Sequence, residues 1–158
     1  MKIIGVDPGY DRLGIAVMEK SGGKESLIYS TCIETNKEDS LVDRLNFAGS
    51  EFQTLIQEHK PDGVALETIF FNKNVKTAVA VAEMRGVIIF ISKQVGCNVY
   101  EYGPQEIKVA ITGYGKSDKG AVIDMVKRLI PTAPEKALDD EYDAIAVAVT
   151  CLASERDF

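Results

Sequence analysis

Two apolar runs in this chain end on a carboxylate, and that constrains its fold more than any other feature. Lys2-Ile-Ile-Gly-Val-Asp7 stops at Pro8-Gly9, and Gly63-Val-Ala-Leu-Glu67 repeats the pattern further on. Each run reads as a buried strand, where a terminal charge is costly unless it is paired or binds a cation. If one helix connects the two strands and they lie adjacent and parallel, both acids leave the sheet at the same edge. A third segment supplies Asp140 and Asp143, three apart and so on one helical face. They lead into Ala144-Ile-Ala-Val-Ala-Val149, which is apolar enough to pack down. Four carboxylates converging on one point repel strongly and need a positive partner. Ligation by oxygen alone favours Mg2+ or Mn2+. Two such cations are the apparatus for in-line phosphodiester hydrolysis: one activates water, and both stabilise the attacking and leaving oxygens. Asp139 and Glu141 read instead as acids that serve the helix dipole.

The remaining elements follow from periodicity and punctuation. Leu13 to Met18 and Ser26 to Ile33 read as two further strands with a hairpin turn at Lys20-Ser-Gly-Gly23, so the first third is an antiparallel meander. Ser40, with Asp43 three residues on, opens a helix that Pro61 stops. A longer helix is expected from Asn74 to Val95. Its Val87-Ile-Ile-Phe-Ile91 stretch is apolar all round, which predicts a helix sandwiched between the sheet and another subunit. Asn98 to Tyr100 is a short strand. Pro104 begins a helix, Thr112-Gly-Tyr-Gly-Lys116 is a loop, Ser117 is expected to cap the next helix, and the last helix is expected to start near Lys136. Together these elements give an α/β domain with a mixed sheet covered by helices.

At 158 residues the chain fits one domain, read as residues 1–158, with no linker, repeat or low-complexity stretch. No apolar run is long enough to span a membrane, and no secretory leader opens the chain, so a cytoplasmic protein is expected. Cys32, Cys97 and Cys151 are too far apart for CxxC spacing and read as reduced thiols. His59, the only histidine, reads as a surface or cap residue. The net charge of −6 argues against nucleic acid as a partner until its distribution is examined. Residues 70–130 carry 9 Lys and Arg against 5 Asp and Glu, a basic middle third between two acidic ends. A surface of that sign can face phosphate.

Gly5-Val-Asp-Pro-Gly9 with Gly14 following, Leu66-Glu-Thr-Ile-Phe-Phe-Asn-Lys-Asn74, Arg85-Gly86 and Asp140-Glu-Tyr-Asp-Ala-Ile-Ala146 occur in that order. Together they resemble the motifs of the RuvC family of Holliday-junction resolvases, over almost the full length. The resemblance implies an RNase H-like fold with a mixed five-stranded sheet, three antiparallel strands and then parallel ones, flanked by helices. It implies catalytic and metal-ligating roles for Asp7, Glu67, Asp140 and Asp143, with two Mg2+ per active site and Mn2+ as a substitute. It further implies a homodimer that grips a four-way DNA junction and nicks two opposing strands symmetrically, leaving 5′-phosphate ends. Phe70 falls where the family has an aromatic wedge, with Phe71 beside it. Lys108 and Lys119 match positions near the scissile phosphate, and Lys73, Lys76 and Lys116 add to the same basic region. A branch-migration motor complex is a further candidate partner. The alternative reading is a related RNase H-like nuclease acting on RNA or on other branched DNA.

Overall fold

In the computed structural model, which describes residues 1–69 and 74–155, the chain begins with a meander turned by glycines. β1 (Lys2–Pro8) pairs antiparallel with β2 (Arg12–Ser21), and β2 with β3 (Lys24–Glu34). Ser21 faces Lys24, leaving Gly22 and Gly23 as a two-residue loop with φ of 57° and 79°. Successive positive φ values suit the primed hairpin turn, whose twist matches that of the strands.

α1 (Leu41–His59) starts at Ser40, whose hydroxyl accepts from the Asp43 amide at 3.1 Å. It ends on Lys60 in the left-handed conformation, just before Pro61. β4 (Gly63–Glu67) then returns parallel to β1, with Val6 beside Leu66. α2 (Val75–Gln94) crosses over to β5 (Asn98–Tyr102), which lies parallel to β4. The sheet order is β3-β2-β1-β4-β5, the mixed five-stranded sheet the sequence predicts. α3 (Pro104–Thr112), α4 (Lys119–Leu129) and α5 (Asp139–Ser154) complete the fold.

Strand alternation sorts the sheet into two cores. Ile4, Val6, Ile15, Val64 and Leu66 pack against Phe52 of α1 and Met84 and Ile88 of α2. Ile3, Ala16, Met18 and Ala65 point the other way, into a core built on α5 with Ile107 of α3 and Val126 of α4. Asp7 shares parity with Ile3, and Glu67 with Ala65, so both strand-end acids belong to the α5 side. Two glycines let α5 come that close. A Cβ on Gly5 would lie 2.2 Å from the Ala144 carbonyl oxygen, and one on Gly14 would lie 2.0 Å from that of Asp140.

Two helix starts differ from expectation. α4 is capped by Asp118, which accepts from the Ala121 amide at 2.8 Å, and not by Ser117. The Ser117 hydroxyl is buried and donates to the Tyr114 carbonyl at 2.7 Å, so it is used inside the loop. α5 begins at Asp139, not near Lys136, because residues 131–138 form turns whose Pro134 carbonyl accepts from the Tyr142 hydroxyl at 2.6 Å. Asp140 therefore stands in the first turn. His59 is half-buried, its ring stacked on Tyr29 with centroids 5.3 Å apart. All three cysteines are free. Among the described residues no helix is long and apolar enough to cross a membrane.

Candidate active site

Parallel pairing of β1 with β4 carries Asp7 and Glu67 off the sheet at one edge, each a single residue beyond the Val6–Leu66 pair. Gly14 is the cross-strand partner of Asp7, and it is also the residue against which the Asp140 backbone rests. The glycine thus fixes where the first turn of α5 meets the end of β1. One turn on, Asp143 joins the same face. Asp140 and Asp143 are mostly covered, with 25% and 27% of their side-chain surface exposed, whereas Asp139 on the outer side keeps 61%.

Electrostatics tie these acids together. Burial first, and then the negative charges of Asp143, Asp140 and Glu67, push the Asp7 carboxyl up to about 8. Burial and Asp143 raise Glu67, against the opposing pull of Lys119, Lys108 and Arg85. Burial also raises Asp143, although Lys119 works against it. The four acids feel one another, yet among the described residues no three acid, histidine or cysteine side chains close into a ready-made ligand cluster.

Basic side chains pair with two of the acids. Lys119 Nζ donates to Asp143 Oδ2 at 3.0 Å, and Arg12 lies 3.7 Å from Asp140 Oδ2. Arg85, reaching over from α2, donates to the backbone carbonyl of Glu67 and to the Glu101 carboxylate, which pins the end of β4. Glu67, Lys108, Lys119 and Asp143 line one groove, backed by Ile107 and Val122. A second groove on the other side of Asp140 is lined by Gly9, Tyr10, Arg12, Lys37 and Thr77. Glu67 and Asp143 thus line one groove and Asp140 the other.

Of the residues expected at the site, the fold gathers Asp7, Glu67, Asp140, Asp143, Lys108 and Lys119. Lys116 is exposed on the α3–α4 loop, and Lys76 is exposed in the first turn of α2, next to Thr77. Phe70, Phe71 and Lys73 lie outside the described residues. Glu141, expected to serve only the dipole, also accepts from the Ser30 hydroxyl at 2.5 Å, and Asp139 pairs with Lys119 at 3.7 Å. Sequence reasoning passed over Arg12 and Tyr114. Tyr114 is 61% exposed beside Lys116, on a loop held by the Thr112 hydroxyl, which accepts from the Tyr114 amide at 3.1 Å. An aromatic between two glycines, two residues before Lys116, is the signal the chain carries.

A mixed sheet in this strand order, with acids at the edge of its two central strands and an acid-led helix packed over them, defines an RNase H-like nuclease. The family model described as crossover junction endodeoxyribonuclease RuvC matches residues 3–151. A curated relative of that name from Thermosipho melanesiensis is 49% identical over 158 residues, covering 100% of both chains. Another, from Petrotoga mobilis, is 43% identical over 94% of this chain and 91% of its own. Among solved structures, Thermus thermophilus RuvC in complex with a Holliday junction substrate has a TM-score of 0.89 and 27% identity, covering 96% of this chain and 93% of that one. The chain belongs to the RuvC family, and it is a structure-selective DNA endonuclease that resolves Holliday junctions.

Proposed function

We propose that residues 1–158 act as one nuclease domain, paired in a homodimer, in which Asp7, Glu67, Asp140 and Asp143 hold two Mg2+ ions and cut opposing strands of a four-way junction. The observation that carries this reading is the meeting of β1, β4 and α5, which brings acids distant in sequence to one sheet edge. The donor set fits a hard divalent cation, because every donor is a carboxylate oxygen. The Asp7 carboxyl, raised to about 8, also lies among negative neighbours that a cation would offset. Such ions, when bound, activate water and neutralise charge developing on the attacking and leaving oxygens.

The protein's own residues do the rest. Gly14 and Arg85 set where Asp140 and Glu67 stand. Lys108 and Lys119 are suited to phosphate on one flank of the acids, and Lys116 and Tyr114 extend that surface. Lys76 adds positive charge in the first turn of α2, and Lys73 is a further candidate from the sequence. Phe70 and Phe71 are the candidates for stacking on bases opened at the junction, where an aromatic face offsets part of the unstacking cost. A relative of this fold bound to a Holliday junction supports the substrate. Symmetric nicks leaving 5′-phosphates follow if two copies present two equivalent sites. The surface suited to pairing lies on α1 and α2, where the exposed Phe90 lines a groove with Leu45, Gly49, Gly86 and Val87, and Val79 is exposed on the same helix.

The test is cleavage of a synthetic four-way junction in the presence of Mg2+. Paired nicks at opposed positions, ligatable and abolished in Asp7→Asn, are expected. An absence of nicking, or an Asp7→Asn protein that cuts like the parent, would overturn the assignment.

A further inference from the structure

Lys119 opens α4 facing the first turns of α5. Its ammonium donates to Asp143 Oδ2 at 3.0 Å and lies 3.7 Å from Asp139 Oδ2. Asp143 is one of the acids assigned above to the divalent ions, so an ion approaching it meets a positive charge already in hydrogen-bond contact. α4 takes its cap from Asp118, and the Lys119 side chain is 53% exposed, so solvent reaches it beside both carboxylates. Asp139, 61% exposed, offers a second carboxylate on the outer side.

We propose that Lys119 is a tethered counter-cation, which occupies Asp143 in the metal-free protein and is displaced by the divalent ion toward Asp139 and the substrate phosphate. The inference rests on the assignment of Asp143 as a metal ligand and goes beyond it. It makes metal loading and the release of a DNA-binding lysine one event. Because binding free energies are reciprocal, DNA that takes up the lysine also favours the metal. The residue restrains the acids when the site is empty and turns to substrate only when the acids are loaded.

The experiment is calorimetric titration of the whole protein with MnCl2 in the absence of DNA, comparing wild type, Lys119→Met and Lys119→Arg. Lys24→Met, which removes an exposed charge on β3, serves as the control for net charge. Removing a competing charge at contact range is expected to tighten Mn2+ binding about threefold to tenfold in Lys119→Met. Lys119→Arg and Lys24→Met should stay within about twofold of wild type, as the first keeps the charge and the second removes a distant one. Lys119→Gln provides the same reading should the methionine variant fail to fold. If wild type binds Mn2+ and the neutral variants bind it equally or more weakly, the competition does not exist, while the metal assignment stands. If neither wild type nor any variant binds the ion, the competition is overturned, and the junction-cleavage assay with Asp7→Asn reports separately on the metal assignment.

Discussion

Asp7 is half-buried at the end of β1 and surrounded by like charge, a liability that the proposed metal ions would offset. Its folded pKa of about 8 lies above the 3.8 of an ordinary aspartate. Raised in this way, it contributes stability fully below about pH 4, and that contribution is lost as pH rises toward 8. Asp7→Asn carries no such charge. In EDTA its melting temperature should exceed that of wild type by a margin that grows from pH 4 to pH 8, reaching at least about 2–4 °C. Thermal unfolding across pH checks this, and a constant margin would contradict it. The same substitution should lower junction cleavage by at least about 10²–10³-fold, the order seen when a preorganised group at the reacting centre is removed. On the basic flank, Lys108→Ala and Lys116→Ala should each reduce the slope of log binding against log salt by about 0.9, the change expected when one fewer phosphate is neutralised. Junction binding measured across a salt series checks both.

At the scale of elements, the packing of α5 on β2 decides whether the acids meet. Gly14 has no side chain, and the Asp140 backbone occupies the place a Cβ would need. Gly14→Ala should push α5 off the sheet, destabilising the domain by about 1–3 kcal/mol, as overpacking does. Cleavage should fall by more than that stability loss explains, because the shift displaces Asp140 relative to Asp7. Denaturant unfolding together with cleavage by the folded fraction separates the two effects. Gly5 plays the same part further along the helix, against Ala144. Arg85 is the corresponding device at β4, linking α2 to the strand end through the Glu67 carbonyl.

For the whole molecule, α2 buries Ala80, Met84, Ile88 and Ser92 against the sheet and leaves Val79 and Phe90 outward. A helix apolar on both faces needs a second partner. Phe90→Glu should give a monomer in sedimentation with its circular dichroism unchanged, since the ring is 64% exposed and outside the core. If the proposed dimer pairs through this face, paired nicking should disappear with it. Although the net charge is −6, positive charge is concentrated in residues 70–130, which supply the lysines proposed to meet DNA. That distribution was legible in the chain, as were the strands, the helices, the turn at Gly22-Gly23 and the acids at strand ends. All of these depend on local periodicity, turn chemistry and the cost of a stranded charge. The cap of α4 and the start of α5 differ from expectation because Ser117 is recruited inside its own loop, and because residues 131–138 form turns tied to α5 through the Tyr142 hydroxyl. Which cation faces which acid, Lys119 on Asp143 and Arg12 on Asp140, was decided only in three dimensions. Such pairs join residues far apart in the chain, and their geometry exists only after the sheet has closed and the glycines have let α5 settle on it.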